Sequence, residues 1–295
     1  MHRKRKIAFV SYKKQEKYST GTHYDEDSTL LNFLLDKGLN IEHTIWNDSL
    51  IDWSKYDLAV LKSPWDYHEL FADFNLWLDK LEAMRVKLAN PYSIIRWNSD
   101  KHYLQDITSA GLSVIPSLFL EKETKPELTE YFSMLHTSKI IVKPCVSASA
   151  KNTWIVTPDN TSERQVELHS FLREDSFLVQ PFMEEILNGE ISFIFLGGRY
   201  SHSVLKLPKP GDFRVQHFHG GTIQNYEAAS EYIEAAQKFI SQFAHGCLYA
   251  RVDGVLINGI FQLMELELIE PYLFLGLHPE GYQRYYEALL HVMDN

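Results

Sequence analysis

Short apolar runs and amphipathic segments alternate in the first third of the chain. The runs Lys6–Ser11 and Tyr56–Lys62 have the continuous hydrophobic character of buried parallel strands. Between them, Ser28–Lys37 has apolar residues at helical spacing, starts at residue types that cap helices and stops at a glycine. This order predicts a β-α-β unit, which a helix over about 69–84 and a short strand at 87–90 extend into a small α/β lobe.

Strand patterns dominate the last third of the chain. Apolar runs on either side of Gly197-Gly198 predict a hairpin, because paired glycines supply the positive φ angles of a tight turn. A long helix over 227–243, a second hairpin at Asn258-Gly259 and a last helix from about Pro279 follow. In the middle of the chain, predicted helices alternate with predicted strands; the helices lie at 100–110, 126–135 and 163–171, and the strands at 113–120, 139–143 and 153–156. The shift from this α/β pattern to the strand-rich pattern of the last third predicts three lobes that share a cleft.

Composition and charge exclude several classes of protein. With 45% hydrophobic and 13% aromatic residues, the 295-residue chain has enough apolar surface to fold around a core, which argues against disorder. Its 29 Lys and Arg against 39 Asp and Glu give a net charge of −10, which argues against a nucleic-acid partner. Two cysteines cannot build a disulfide framework, and no apolar run has the length of a signal-peptide core or a membrane span. We therefore expect a cytoplasmic protein that does not bind membranes.

The segment YARVDGVLINGIFQLMELELIEPYLF carries the clearest candidate chemistry. Alternate residues of a strand share a face, so Arg251 and Asp253 point one way on the first strand, and Glu265 and Glu267 point one way on the second. The register decides whether the two pairs meet. A two-residue turn at Asn258-Gly259 would put Asp253 and Glu265 on opposite faces, whereas a three-residue loop with a bulge at the glycine would put all four side chains on one face.

The three carboxylates of this hairpin need a cation if they converge. Unpaired carboxylates among Leu, Met and Ile would be costly to desolvate or would be protonated. Oxygen ligands favour Mg²⁺ or Mn²⁺, and Mg²⁺ uses few protein carboxylates because phosphates and waters complete its octahedron. The alternative is a solvated acidic edge paired with Lys or Arg.

Two lysines stand at positions that suit nucleotide phosphates. Lys143 ends the predicted strand KIIVK, and Lys101 begins a predicted helix, so both ammonium groups fall at the mouth of the predicted cleft. An ammonium group binds phosphate as a mobile point charge. The small residues of SASAKNT, after Lys143, can present backbone N–H groups to phosphates. Taken singly, each lysine is also compatible with a solvated surface position.

Two further segments carry binding candidates. The connector in LVQPFMEEILNGEIS can present backbone groups to an adenine edge, and Glu190, which opens the next predicted strand, can accept from ribose hydroxyls. Ser63, Trp65, Asp66 and Tyr67 follow the second predicted strand, at the carboxyl end of a parallel sheet, where ligands usually sit. They are candidates for substrate recognition. The alternative is that the two aromatic residues are buried in the core or between lobes.

Histidine and cysteine do not predict a metal or covalent site. His202, His217 and His219 have no nearby Cys or carboxylate to complete a tetrahedral zinc site. We expect His217 to line the pocket of the acceptor substrate instead. Cys145 has no positioned base, so we expect a small buried apolar residue rather than a nucleophile.

Taken in order, these segments resemble the ATP-grasp superfamily. WNSDKHYL, IIVKP, QPFMEEILNGE, GDFRVQHFHGG and ARVDGV with MELELIEP are similar to successive motifs of bacterial glutathione synthetase and D-alanine–D-alanine ligase. SPWDYHE, RWNSDK, SHSVLK and GDFRVQ resemble the ATP-grasp ligase of D-cycloserine biosynthesis more closely still. The resemblance covers nearly the whole chain. It implies an α/β ATP-grasp fold with a Rossmann-like substrate lobe at 1–97, a lid and nucleotide lobe at 98–180 and a C-terminal catalytic lobe at 181–295.

The resemblance also implies a role for each matching residue. Arg214 and Arg251 match arginines that contact the transferred phosphoryl group and the acyl phosphate. Two features depart from the family pattern: Glu267 stands where glutathione synthetase has Asn, and SASAKNT lacks the glycines of a typical phosphate loop. The implied nucleotide-binding residues are Lys101, Lys143, Gln180, Met183, Glu190 and Lys206, and the implied metal ligands are Asp253, Glu265 and Glu267.

The implied activity is that of an ATP-dependent C–N bond-forming ligase. A small carboxylate would attack the γ-phosphate of ATP with Mg²⁺ (or Mn²⁺) bound, and an amine or similar nucleophile would capture the acyl phosphate, releasing ADP and phosphate. The alternatives are a phosphotransferase of the same fold and a nucleotide-binding protein without turnover. The partners implied are small molecules, and a homodimer is expected from the relatives.

Overall fold

The computed structural model describes residues 5–13, 25–148, 151–212, 214–215 and 220–294. Within these ranges the strands form three separate sheets, two of four strands and one of five, with helices between them. The predicted α/β class with parallel and antiparallel parts is therefore confirmed. The lobe boundaries near residues 97 and 180 stay predictions. No described helix combines the length and the hydropathy needed to cross a bilayer.

The first sheet is parallel and forms the N-terminal lobe. Its strand order is β2-β1-β3-β4, with the bounds given below. The first helix starts earlier than predicted, because the carboxylate of Asp25 accepts the N–H of Ser28 at 3.0 Å and caps it. The second strand was not predicted, since exposed polar residues interrupt its apolar pattern. The elements are β1 (Lys6–Ser11), α1 (Glu26–Asp36), β2 (Asn40–Ile45), β3 (Leu58–Ser63), α2 (Phe71–Ala83), β4 (Lys87–Ala89) and α3 (Tyr92–Asn98).

The middle sheet is antiparallel and smaller than its predicted elements suggested. Its strand order is β5-β8-β6-β7. The predicted strand at 113–120 is formed only over its last three residues, because residues 113–115 instead pair with the third sheet. The elements are α4 (Tyr103–Ser109), β5 (Leu118–Leu120), α5 (Leu128–Met134), β6 (Ile140–Pro144), β7 (Trp154–Val156), α6 (Thr161–Phe171) and β8 (Phe177–Pro181).

The third sheet is antiparallel and carries the predicted acidic hairpin. Its strand order is β11-β10-β9-β12-β13. The hairpin predicted around Gly197-Gly198 is present, and its second strand extends to Leu207. The elements are β9 (Glu190–Leu196), β10 (Arg199–Leu207), β11 (Thr222–Asn225), α7 (Ser230–Phe243), β12 (Tyr249–Ile257), β13 (Ile260–Glu267) and α8 (Gly281–Asp294).

The turn between β12 and β13 has two residues, Asn258 and Gly259. Their φ angles are 50° and 77°, and positive φ at both positions is typical of a type I′ turn. The two-residue register continues as far as the pair Gly254 and Leu263. The three-residue loop, which we had considered as the way to bring the acidic residues together, is therefore absent.

A β-bulge brings the acidic residues together instead. Between Asp253 and Gly254 the register shifts by one residue, so that Asp253 lies opposite Glu265 and Arg251 lies opposite Glu267. Directly opposite residues of an antiparallel pair share a face. The expectation that a two-residue turn separates Asp253 from Glu265 is wrong, because it assumed an unbroken register.

Close packing surrounds the bulge. A Cβ added at Gly254 would lie 2.2 Å from the carbonyl oxygen of Gln262, so this position requires glycine. On its other edge, β13 bonds to the chain before β5: the N–H of Leu263 donates to the carbonyl of Ser113 at 3.0 Å, and the N–H of Ile115 donates to the carbonyl of Leu263 at 2.9 Å. Strand β13 is therefore fixed on one edge by close packing against β12 and on the other edge by the backbone of residues 113–115, and both contacts hold the shifted register.

Buried asparagine side chains fix the third sheet against the N-terminal lobe. Asn90 is fully buried and accepts the N–H of Leu248 at 2.7 Å. Its amide donates to the carbonyls of Tyr249 at 3.0 Å and Leu268 at 2.7 Å. Asn98 makes a similar pair of bonds to the end of β13. The ends of β12 and β13 therefore lie where the lobes meet, and so do the charged residues at those ends.

Candidate active site

Arg251 lies at the centre of a buried network of charges. Its guanidinium donates to both carboxylate oxygens of Asp253 at 2.8 to 3.1 Å, and it also pairs with Glu267. A further N–H donates to the carbonyl of Tyr272 at 2.9 Å. Burial alone would lower the pKa of Arg251, but the charges of Asp253 and Glu267 raise it above its ordinary value. The network therefore holds a permanently charged group in the junction between lobes.

Asp253 is held by three groups. Besides Arg251, the hydroxyl of Ser192 donates to it at 2.6 Å and the ammonium of Lys206 at 3.0 Å. Burial alone would raise the pKa of Asp253, but Arg251 and Lys206 hold it below its ordinary value. Lys206 also pairs with Glu190, which lies opposite it across β9 and β10. The structure thus brings five of the predicted residues into one continuous network: Glu190, Lys206, Asp253, Arg251 and Glu267.

The two predicted phosphate lysines flank Glu265. Lys101 lies 3.2 Å from the Glu265 carboxylate and donates to the carbonyl of Ser147 at 2.9 Å. Lys143 has no hydrogen bond or ion pair within the described residues. Burial lowers the pKa of Lys143, although the nearby Glu265 opposes this effect. Lys143 is therefore a partly buried cation whose ammonium group is available to a ligand.

The predicted metal ligands share a face, but they do not form a closed cage. Among the described residues, the oxygens of Asp253, Glu265 and Glu267 do not all gather within 4.8 Å of one another. Each of these carboxylates pairs with a Lys or Arg side chain. The donor set consists of oxygen atoms, which suits a hard divalent cation that takes one or two carboxylates and completes its shell with phosphate oxygens. The residues therefore fit an Mg²⁺ ion that is bound partly by these carboxylates and partly by the phosphates of a nucleotide.

Gln180 and Met183 stand beside an apolar surface. The amide of Gln180 donates to the Ser117 hydroxyl at 2.8 Å, and its side chain is buried. Met183 packs against an apolar cluster at the junction of the middle and third sheets, formed by Ile115, Phe182, Ile186, Val215 and Val255. An apolar surface beside the connector that follows β8 is the kind of surface that a planar base needs.

Two of the predicted substrate residues are buried in the N-terminal lobe. Asp66 is 2% exposed and accepts the indole N–H of Trp46 at 2.7 Å. Tyr67 is 4% exposed and packs against Phe74 with the ring centroids 5.0 Å apart. The packing of Tyr67 matches the alternative that the aromatic residues of this segment are buried in the core. Contact of either side chain with a substrate stays a prediction.

The other two predicted substrate residues, Ser63 and Trp65, contact different parts of the protein. Ser63 is buried and donates to Asp27 at the start of α1. The indole N–H of Trp65 donates to the backbone carbonyl of Glu270 at 3.1 Å. Trp65 is only partly buried. Trp65 therefore contacts the backbone of the segment that follows β13. Contact of Ser63 or Trp65 with a substrate stays a prediction.

The remaining predicted residues lie apart from the network or outside the described residues. Arg214 pairs with Asp212 at 2.8 to 3.1 Å, and within the described ranges it makes no contact with Arg251. His217 lies outside the described residues. His202 is buried, and one of its ring nitrogens lies 3.0 Å from the carbonyl of Leu273.

Sequence reasoning missed a buried ion pair next to the site. Lys62, at the end of β3, is 1% exposed and lies 3.1 Å from both Glu26 and Asp27. Glu26 also accepts the N–H groups of Leu273 and Leu275 at 2.9 and 2.8 Å. The lysine inside an otherwise apolar strand was the available signal, because a charged residue there needs a counter-charge.

A second missed group lies beside Lys101. Asp100, His102 and Cys145 have ligand atoms within 4.8 Å of one another. The two ring nitrogens of His102 already pair with carboxylates, Asp100 at 2.6 Å and Glu121 at 3.2 Å. Cys145 is buried, as expected, and burial raises the pKa of its thiol above the ordinary value.

Comparison of the sequence with known protein families shows the family of this chain. The family model for the ATP-grasp domain of prokaryotic glutathione synthetase covers residues 113–272, more than half of the chain. The chain belongs to the ATP-grasp family. It is an ATP-grasp ligase. The matched region contains the acidic hairpin and the predicted nucleotide-binding residues apart from Lys101, which precedes it. A second model, for the N-terminal domain of the D-cycloserine synthetase DcsG, matches residues 7–90.

Individual relatives of this ligase match over almost the same length. The cycloserine biosynthesis protein DcsG of Streptomyces lavendulae is 25% identical over 265 residues, which are 85% of this chain and 88% of that protein. The crystal structure of D-cycloserine synthetase DcsG has a TM-score of 0.85, with 24% identity over 97% of this chain and 98% of that one. The D-alanine–D-alanine ligase of Bacillus anthracis in complex with ATP has a TM-score of 0.67, with 15% identity over 98% of this chain and 99% of that one.

Proposed function

We propose that this ligase uses ATP and Mg²⁺ to activate a small carboxylate as an acyl phosphate, which an amine or similar nucleophile then captures. The observation that carries this proposal is a group of four cations that lie near carboxylates at one lobe junction. It consists of Lys101, Lys143, Lys206 and Arg251. The similarity to a D-cycloserine synthetase and a D-alanine–D-alanine ligase supports amino acids or their derivatives as substrates.

The nucleotide would lie between the middle and third sheets. The apolar cluster beside Met183 would take the adenine, and Glu190 would accept from the ribose. Lys101 and Lys143 would bind phosphates as point charges from the two sides of Glu265. Lys206 would hold Glu190 and Asp253 in place, because it pairs with both.

The reacting groups would lie beside Arg251. Asp253, Glu265 and Glu267 would hold Mg²⁺, which when bound would neutralise charge on the phosphates. Arg251, whose guanidinium is fixed by two carboxylates and a carbonyl, would stabilise the negative charge that develops as the phosphoryl group moves to the carboxylate. No side chain needs to act as a nucleophile, since positioning and electrostatics provide the acceleration. A role for Arg214 and His217 at the acyl phosphate and the acceptor, and a homodimer, remain parts of the proposal.

The first experiment is an assay of ADP release with Mg-ATP against pairs of amino acids, hydroxy acids and small amines, with products identified by mass. A product whose mass equals acid plus amine minus water would support the ligase. A phosphorylated product would favour a phosphotransferase, and release of AMP would refute the acyl-phosphate mechanism.

Lys143 offers the sharpest variant for this assay. Because no described residue pairs with its ammonium group, Lys143→Met breaks no internal ion pair, yet it removes a phosphate contact. We expect turnover to fall by about 100-fold or more, with an unchanged melting temperature. Lys139→Met is the matched control, since Lys139 lies just before the same strand and pairs with exposed Glu184. Full activity of Lys143→Met would argue against the proposed phosphate site.

A further inference from the structure

Glu270 is an acidic residue next to the site whose side chain pairs with none of the described residues. The other carboxylates of this junction are paired: Glu265 with Lys101, Glu267 with Arg251, and Asp253 with Arg251 and Lys206. Within the described residues, the Glu270 side chain makes no hydrogen bond and no ion pair. It is also only partly buried, so a ligand in the cleft can reach it.

The backbone around Glu270 is held rigidly. Its carbonyl accepts the indole N–H of Trp65 at 3.1 Å. On one side the Tyr249 hydroxyl donates to the carbonyl of Ile269 at 2.8 Å, and on the other the ammonium of Lys62 lies 3.4 Å from the carbonyl of Pro271. A side chain that pairs with no described residue, on a fixed backbone between the end of β3 and the end of β13, is pre-organised for a ligand.

The local charge favours a cationic ligand. Burial raises the pKa of Glu270 well above its usual range, and the carboxylates of Glu267 and Glu265 raise it further. Lys101 and Arg251 act in the opposite direction, each more weakly than these two carboxylates. A positively charged ligand next to Glu270 would offset the repulsion between its carboxylate and those of Glu265 and Glu267. No described side chain pairs with Glu270 to do this.

Resting on the proposed ligase function, we infer that the Glu270 carboxylate receives the protonated amino group of a substrate. The ammonium would lie in the space between Trp65 and the ends of β3 and β13, next to the groups proposed to activate the carboxylate. Two groups could supply this ammonium: the α-amino group of the acid that is activated, and the amine that captures the acyl phosphate. In the first case, Glu270 would distinguish amino acids from hydroxy acids.

The test compares the Glu270→Gln variant with wild type. The amide has nearly the same shape as the carboxylate and no internal bond is lost, so the fold is expected to be retained. The assay starts with D-alanine and its hydroxy-acid analogue D-lactate. It then uses the acid and the amine found in the ADP-release assay. The KM of each partner, the KM of ATP and the Mg²⁺ concentration for half-maximal rate are measured. Glu231→Gln, an exposed carboxylate on α7, is the matched control.

We expect Glu270→Gln to raise the KM of one partner by about tenfold or more, with the KM of ATP and the Mg²⁺ dependence within about twofold of wild type. A rise for the acid assigns its own amino group, and a rise for the amine assigns the nucleophile. Unchanged KM values for both partners, or a changed Mg²⁺ dependence instead, would overturn the inference while leaving the ligase intact. A wild-type protein that releases no ADP with any pair would refute both.

Discussion

Replacement of Arg251 by methionine tests whether the charge network supports the fold as well as the chemistry. The Arg251 side chain is 10% exposed and neutralises two carboxylates. After the substitution, Asp253 keeps Lys206 and Ser192 as partners. Glu267 keeps none among the described residues. The main cost is therefore one partly buried carboxylate, that of Glu267, left without a cation.

The magnitude follows from that single unpaired charge. Breaking a buried ion pair from one side costs about 3–5 kcal/mol, and the remaining partners of Asp253 favour the lower end of this range, about 3 kcal/mol. For a chain of this length, about 2 °C of melting temperature corresponds to 1 kcal/mol, so we expect a decrease of about 6 °C. The double variant Arg251→Met/Glu267→Gln removes the unpaired charge and should recover at least half of the loss.

The measurement is thermal unfolding at neutral pH, with Arg96→Met as the matched control. Arg96 also contacts two carboxylates, Asp79 and Glu82, but these are 65% and 54% exposed, so its removal should cost less than about 1 kcal/mol. Equal melting temperatures for Arg251→Met and Arg96→Met would refute the idea that burial makes the Arg251 network essential. A double variant no more stable than Arg251→Met would show that Glu267 is not the unpaired charge.

Two further predictions concern the fold around the site. Gly254→Ala places a methyl group against the Gln262 carbonyl and should destabilise the protein by about 1–3 kcal/mol, as measured by denaturant unfolding; an unchanged midpoint would mean that the bulge accepts a side chain. Burial lowers the pKa of His102, but its hydrogen bonds to Asp100 and Glu121 outweigh burial and raise it above 6.5. The contribution of protonated His102 to the free energy of unfolding is therefore complete below pH 6.5, and it is lost as the pH rises through the raised pKa. The difference in melting temperature between wild type and His102→Gln should shrink between pH 6 and 9, and a difference that grows would contradict this sign.

The face shared by the acidic residues could be predicted from the sequence, but the way in which it forms could not. Strand alternation placed Arg251 with Asp253 and Glu265 with Glu267, and the Asn-Gly turn is where the pattern predicted it. The bulge that aligns the two pairs depends on the backbone of Ser113 and Ile115, which bonds to the far edge of β13. No local pattern reports a neighbour that lies about 150 positions away in the chain.

Side chains at the end of β3 were harder to assign than those on the hairpin. Their position at the carboxyl end of a parallel strand predicted a cleft, and Trp65 does contact the acidic segment. Burial of Asp66, however, depends on Trp46, and burial of Ser63 depends on Asp27. A polar residue after a strand has the same appearance in the sequence whether it binds a ligand or an internal partner. Glu270 was missed for the opposite reason, because its lack of a partner is visible only when the surrounding pairs are known.

The pairing in the site also gives a physical reason for the carboxylate at position 267, where the resemblance to glutathione synthetase predicts Asn. Arg251 is buried, and Asp253 is shared between Arg251 and Lys206. Lys206 also pairs with Glu190, so Arg251 shares Asp253 with a lysine that has a counter-charge of its own. Glu267 pairs with Arg251 directly, and a carboxylate attracts the guanidinium more strongly than a neutral amide in the same place would. Arg251 is thereby held in one orientation before any ligand binds, and the negative charge that makes this possible is also what leaves Glu270 in need of a cation.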